Sequence, residues 1–232
     1  MAHKRVLAID IGGTKFSMAA FDGEAMVRRE TRATDQVGGR EWMVAQISET
    51  AHRWHGELRF DCCGIGFGGP VNFAAQRVAL STHVAGWKDF PLTDHLRGLL
   101  CIPAVMDNDA NVGAMGEGEF GAGRGAAPLF YMTLSTGIGG GIYADGRVWR
   151  GADSYAGEIG HLSIRPDGPE CLCGARGCFE RICCGLWLER DRGLPARELV
   201  KDPCFVEAYV VDLALGLKAV IMLLNPARIE FS

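Results

Sequence analysis

Two stretches, "DIGGTK" at 10–15 and "LSTGIGGG" at 134–141, constrain this chain more than any other feature. Each follows an apolar run that reads as a buried strand, and each joins glycines to a threonine. Glycine lets successive backbone N–H groups converge into a concave anion nest, and threonine adds a hydroxyl donor. Taken singly, each stretch also fits an ordinary hairpin turn. Taken together, with Asp10 closing the first strand, they favour a pair of turns that grip the phosphates of a nucleotide from two sides. Asp10 could hold a magnesium-bound water, and Lys15 could neutralise phosphate charge.

The segments around these turns predict α/β architecture, with the chemistry at the carboxyl ends of strands. "RVLAIDI", "FSMAAFDG" and "EAMVRRETR" read as a β-meander. "REWMVAQISETAHRW" has apolar residues at Trp42, Ala45, Ile47 and Ala51 with polar residues between, and reads as a helix. "CCGIGFGG" reads as a buried strand halted by glycines and Pro70. "PLTDHLRGLL" reads as a short helix with Thr93 as its cap, and "IPAVMDNDA" as a strand. "ANVGAMGEGEFG" reads as a helix that fails at its glycines. "LFYMTLSTGIGGGIYADGRV" reads as strand, turn, strand and a hairpin at Asp145-Gly146, and a last helix spans about 205–224. A crossover near 103–108 divides the chain into lobes 1–106 and 107–232.

The 232 residues can bury a substantial core. Against 28 Asp and Glu stand 24 Lys and Arg, a balance with no electrostatic case for nucleic acid. The longest apolar run, "VVDLALGLKAVIMLL", is broken by Asp212 and Lys218, so no membrane span is expected. "MAHKRVLAIDIGG" enters a strand without the apolar region of a signal peptide. A cytoplasmic protein is expected, its nine cysteines thiols or metal ligands. The pairs at 62–63 and 183–184 read as small buried hydrophobes. No G-x-x-x-x-G-K-[ST] occurs. G-x-G-x-x-G occurs at Gly64, Gly66 and Gly69, and at Gly116, Gly118 and Gly121, but neither run joins a strand to a helix start as a dinucleotide fingerprint must.

Two further stretches carry chemistry. In "MDNDAN", phosphate transfer to an alcohol would need a carboxylate within hydrogen-bond reach of the hydroxyl. Asp109 fits that role, beside an asparagine able to bind neighbouring hydroxyls. Asp107 is a rival, and Asn108 or Asp109 fits equally as a cap for a helix beginning at Ala110. In the cysteine region, Cys171, Cys173 and Cys178 with His161 make a complete Cys3His set for zinc, and Gly174 and Gly177 permit the turn that gathers the thiolates. Four protein ligands leave no open position, so the expected zinc is structural. Glu158 and Glu180 flank the set without being needed by it, as carboxylates placed to accept from sugar hydroxyls would.

"DIGGTK", "GFGGPVN", "NDAN", "LSTGIGGG", "GEIGH" and "CLCGARGCFE" follow one another as in ROK-family proteins. The chain therefore resembles the ROK sugar kinases and repressors, glucokinases and N-acetylmannosamine kinases among them, over nearly its whole length. The resemblance implies an actin-like (ribonuclease-H-like) ATPase fold of two α/β lobes with a zinc loop. It implies ATP, Mg2+ and structural Zn2+ as cofactors, and phosphorylation of a hexose, glucose first, at its 6-hydroxyl. It makes Asp109 the catalytic base. Sugar contacts fall on Gly69, Thr82, Asn108, Asp109, Glu158, His161 and Glu180. Phosphate contacts fall on Gly12, Gly13, Thr14, Thr136 and Gly137, and zinc ligands on His161, Cys171, Cys173 and Cys178. His161 would serve twice, through its two ring nitrogens. The substrate would be a hexose or N-acetylhexosamine, and relatives often form homo-oligomers. ROK repressors carry a preceding helix-turn-helix, whereas this sequence opens on the first strand, so a repressor is not expected. It stops at "NPARIEFS", where related kinases continue into an adenosine-contacting segment. It therefore reads as a shortened member, with a non-catalytic sugar-binding protein as the alternative.

Overall fold

Period-two alternation builds the first of two units into which the chain divides, residues up to Asp109 and Ala110–Ser232. The structure, a computed structural model, describes residues 3–81 and 84–232; the expected sugar contact Thr82 lies outside the described residues. In β1 (Arg5–Ile11), Leu7, Ile9 and Ile11 are buried at every second position. The strand pairs antiparallel with β2 (Lys15–Asp22), and β2 pairs antiparallel with β3 (Ala25–Ala33), forming the expected meander. On its other side β1 takes β4 (Cys62–Phe67) in parallel, and β4 takes β7 (Ala104–Asn108) in parallel, for an order β3-β2-β1-β4-β7. The two-residue strands β5 (Val71–Asn72) and β6 (Arg77–Val78) form a small hairpin between them.

Buried rungs Leu7↔Cys63, Ile9↔Ile65 and Ile11↔Phe67 join β1 to β4. They belong to one core with the buried faces of α1 (Gly39–Leu58) and α2 (Leu92–Leu100). Each fully buried aliphatic side chain here contributes roughly 1.5–3 kcal/mol. The inner face of α1 includes Ile47 and Ala51 of the four apolar residues that mark the helix in the sequence. It is Met43, Ile47, Thr50, Ala51 and Trp54, whereas Ala45 is exposed and Trp42 only partly covered. Which side of the helix meets the sheet is decided by the sheet beneath it and not by periodicity alone. Thr93 is no cap either: it is fully buried and its hydroxyl donates to the Gln76 carbonyl at 2.8 Å, while Pro91 holds the cap position.

The second unit repeats the plan of the first over four strands. β8 (Leu129–Leu134) and β9 (Ile138–Ala144) are antiparallel, and β10 (Arg147–Val148) returns through Asp145-Gly146. Both turn residues have positive φ, +53° and +72°, the signature of a tight type I′ hairpin. β11 (Arg228–Phe231) then pairs in parallel with β8, giving β10-β9-β8-β11. No strand is expected from the sequence in this last run. Four residues alternating Arg, Ile, Glu and Phe are too short to stand out, and only pairing with β8 makes them a strand.

Helix α3 (Asp109–Glu119) does not fail at its glycines; it runs through Gly113, Gly116 and Gly118. A Cβ at Gly113 would stand 2.3 Å from the ring of Tyr131, and one at Gly118 2.4 Å from the ring of Tyr143. Contact with these rings from β8 and β9 offsets the helix-propensity cost of glycine, about 1 kcal/mol each. The short helices α4 (Phe179–Cys183), α5 (Gly185–Arg192) and α6 (Ala196–Leu199) lead to α7 (Pro203–Leu224). Asp202 caps α7 by accepting from the Cys204 N–H, with proline in the first turn. No described helix is long and apolar enough to cross a membrane. Of the cysteines expected to be small hydrophobes, Cys63, Cys183 and Cys184 are buried and Cys62 is half-buried. Burial pushes the Cys63 and Cys183 thiols up to about 12, which keeps them protonated and inert.

The inner face of α1 sets a test. Ile47→Ala is expected to cost about 2–5 kcal/mol in urea unfolding, while Ala45→Lys on the exposed side changes stability by less than about 0.5 kcal/mol.

Candidate functional site

Because β1, β4 and β7 are parallel, their carboxyl ends emerge at one edge of the first sheet. The strand ends and turns there hold every candidate site residue of the first unit except Thr82. After β1, the Gly12 N–H donates to the Lys15 carbonyl at 2.9 Å and closes the first glycine turn. Thr34, just past β3, clasps that turn from outside. Its N–H donates to the Thr14 carbonyl at 2.9 Å and its hydroxyl to the Gly12 carbonyl at 3.3 Å. The turn's carbonyls are thus engaged inward, which leaves the Gly13 and Thr14 N–H groups with no intramolecular acceptor among the described residues. Thr34 was missed in the sequence reading. The meander register, Lys15↔Ala33, carries the signal that could have found it.

After β4, the Gly68 N–H donates to the Ile11 carbonyl at 2.7 Å and ties the second loop to the first. A Cβ at Gly68 would stand 3.4 Å from an Asp109 carboxylate oxygen and 3.4 Å from the Gly12 Cα. The Asp109 carboxylate therefore lies beside the glycine turn, where α3 begins. Asn108 donates from its side-chain amide to the Gly69 carbonyl at 3.1 Å, and the Gly69 N–H donates to Phe67 at 2.9 Å. Both backbone groups of Gly69 are engaged at this corner, and its carbonyl keeps a second lone pair. Asp107, the rival base, is buried and accepts from the Asn108 N–H at 2.8 Å. Asp10 keeps an exposed surface, yet burial of its carboxyl raises its pKa above the ordinary value, against the opposing pull of Lys15 and Arg29. A divalent cation there would reverse that balance.

The second unit holds the remaining residues. Thr136 and Gly137 lie between β8 and β9, and the Ser135 N–H closes their turn on the Gly137 carbonyl at 3.0 Å. Glu158 precedes a 3-10 turn over Ile159–His161. That turn lies against β9 backbone to backbone. A Cβ at Gly160 would stand 2.1 Å from the Ile138 carbonyl, and one at Gly157 2.3 Å from the Gly140 carbonyl. Gly140 thus serves close packing, a use the sequence reading did not separate from phosphate binding. Glu158 has its pKa raised, chiefly by burial and further by the nearby Glu180 carboxylate, while His161 opposes the shift. The two glutamates and the histidine are therefore neighbours. Glu180 on α4 also accepts from the Ile138 N–H at 2.9 Å, a bond absent from the sequence reading.

His161, Cys171, Cys173 and Cys178 offer ligand atoms that all lie within 4.8 Å of one another. Cys173 Sγ and Cys178 Sγ are 3.5 Å apart, and Cys171 Sγ is 3.9 Å from His161 Nδ1. Zinc–sulfur bonds of about 2.3 Å in a tetrahedron put ligand atoms about 3.8 Å apart, so the set fits zinc. Nδ1 is the ring nitrogen turned to the thiols. Gly177 makes the loop fold back: its φ is +63°, and a Cβ there would fall 1.6 Å from the Arg165 carbonyl. Burial and the adjacent Cys173 and Cys171 push the Cys178 thiol up to about 12. A bound cation would overturn that shift by favouring the thiolate.

The model of the ROK family matches residues 6–229. The glucokinase of Halalkalibacterium halodurans is 36% identical over 197 residues, covering 82% of this chain and 59% of that protein. The N-acetylmannosamine kinase of Citrobacter koseri is 32% identical over 194 residues, covering 77% of this chain and 61% of its own length. The chain thus spans about three fifths of the curated relatives it matches. A crystal structure of a ROK family glucokinase from Streptomyces griseus with glucose and AMPPNP is 28% identical, with a TM-score of 0.85, covering 98% of this chain and 82% of that one. The mixed α/β sheets are those of ROK sugar kinase structures, in line with the actin-like ATPase fold.

Metal analysis of the purified protein should return about one zinc per chain. Cys178→Ser should abolish it and lower the melting temperature, because Cys178 sits at the start of α4 as well as in the cluster.

Proposed function

Because the chain belongs to the ROK family, we propose that it transfers the γ-phosphoryl group of ATP to the 6-hydroxyl of a hexose, glucose first. Asp109 accepts the hydroxyl proton as the oxygen attacks the γ-phosphorus. The N–H groups of Gly13, Thr14, Thr136 and Gly137 hold the phosphates and the charge that develops on them, while Gly12 shapes the first turn through its bond to Lys15. Lys15 adds a positive charge, and Asp10 is the residue that would hold magnesium, which would neutralise charge on the nucleotide. Glu158 and Glu180 accept from sugar hydroxyls, and Asn108 lines the sugar beside Gly69. With Nδ1 of His161 toward the thiols, Nε2 is left for a hydroxyl. His161, Cys171, Cys173 and Cys178 would hold zinc, which would anchor that ring and the start of α4. The free thiols and the use of ATP suit the cytoplasm.

The observation that carries the reading is the Asp109 carboxylate beside Gly68 and Gly12 at the carboxyl ends of three parallel strands. Glucose as the sugar is supported by the glucokinase relative and by the solved relative crystallised with glucose.

ADP release measured across a panel of hexoses and N-acetylhexosamines, with sugar binding followed by calorimetry, tests the proposal. Turnover with glucose should fall about 10²–10⁴-fold in Asp109→Asn while sugar still binds. Sugar binding without turnover in the wild type at saturating ATP would replace the kinase reading by that of a sugar-binding protein.

A further inference from the structure

The peptide unit between Gly137 and Ile138 is gripped at both ends. Its carbonyl accepts from the Ser135 N–H at 3.0 Å, and its N–H donates to Glu180 Oε2 at 2.9 Å. The turn lies directly on that carboxylate: a Cβ at Gly137 would stand 2.7 Å from the same oxygen. The backbone just after Glu180 holds the turn as well. The Gly185 N–H donates to the Ser135 carbonyl at 2.8 Å and the Leu186 N–H to the Thr136 carbonyl at 3.3 Å. With those groups engaged, the Thr136 and Gly137 N–H groups have no intramolecular acceptor among the described residues.

The other end of this connection is the cysteine cluster. Cys178 precedes α4, and Phe179, the first residue of that helix, is fully buried in the second core. Glu180 follows on the first turn of α4. Cluster, α4 and glycine turn thus form one bonded block within the second unit. A carboxylate beside a phosphate nest opposes anion binding by its charge. The bond to Ile138 is what such a group can contribute there: it fixes the peptide plane that sets the direction of the nest.

We propose that Glu180 is a positioning residue for the second glycine turn, and that sugar and nucleotide binding are coupled through it. The coupling rests on the reading above, in which Glu180 accepts from a sugar hydroxyl and the turn holds phosphate. A sugar hydroxyl bound to the carboxylate restricts its rotamers and so preserves the grip on Ile138. The nest is then formed before the nucleotide arrives. By thermodynamic reciprocity the nucleotide tightens sugar binding by the same factor, expected at about fivefold or more.

Glu180→Ala and Glu180→Gln separate the roles. Glutamine keeps a carbonyl oxygen for Ile138 but loses the charged acceptor for sugar. Amide exchange of Ile138, followed without any ligand, should speed up about tenfold or more in Glu180→Ala and return near the wild-type rate in Glu180→Gln. Affinity for the β,γ-imido analogue of ATP with magnesium, measured without sugar, should fall several-fold in the alanine variant only. Glucose should tighten analogue binding in the wild type but in neither variant. Unchanged Ile138 exchange in Glu180→Ala overturns the positioning role. Faster exchange with unaltered analogue affinity, or no effect of glucose on wild-type analogue binding, overturns the coupling. A wild type that binds no analogue, yet loses Ile138 protection in Glu180→Ala, overturns the kinase reading and leaves the positioning role standing.

Discussion

The approach of the Gly157–His161 segment to β9 is closer than any side chain would permit. Gly140 and Gly157 meet carbonyl to Cα, and Gly160 lies on the Ile138 carbonyl. This backbone contact sets the depth at which Glu158 and His161 sit against the strand that leaves the second glycine turn. A methyl group at either Gly157 or Gly160 would need a shift of main chain, which in a close-packed interior costs more than moving a flexible side chain. The glycines of "GIGGG" and "GEIGH" are thus complementary halves of one contact. The cysteine loop adds a second fixed point, because its last cysteine begins the helix that carries Glu180.

The first unit solves its positioning problem differently. Three parallel strands end at one edge, and each delivers one stretch there: the glycine turn after β1, Gly68-Gly69 after β4 and Asn108-Asp109 at the junction of β7 and α3. The stretches are joined by backbone and amide bonds, Gly68 to Ile11 and Asn108 to Gly69. The buried rungs beneath them hold the strand ends in register, so the polar groups rest on a rigid apolar base. In both units a glycine turn has its carbonyls held from behind, by Thr34 in one and by Gly185 and Leu186 in the other. That leaves outward N–H groups in each.

Motifs whose chemistry depends on local spacing were legible. The meander, the hairpin at Asp145-Gly146 and the Cys3His cluster all rest on residues close in sequence, so their geometry follows from turns of a few residues. Features that depend on what packs above them were not. Ala45 and Met43 are equally apolar on paper, and only the sheet beneath α1 decides which is buried. Thr93 has the chemistry of a cap, but a carbonyl from a distant loop claims its hydroxyl. The glycines of α3 look like breaks until two tyrosine rings from the neighbouring sheet lie over them.

By itself the sequence determined the longer strands before β11, the helices α1, α2, α3 and α7, the glycine turns, the cysteine cluster and the acids available for chemistry. These are set by short-range periodicity, backbone freedom and ligand type. Tertiary structure alone decided that "RIEF" is a strand, because four residues gain a ladder only when β8 stands beside them. It also decided which nitrogen of His161 turns to the thiols and that Glu180 reaches the peptide after Gly137, 42 positions away in the chain. Contacts of that separation leave no periodic trace, since they form only once both partners have been carried into place by the sheet.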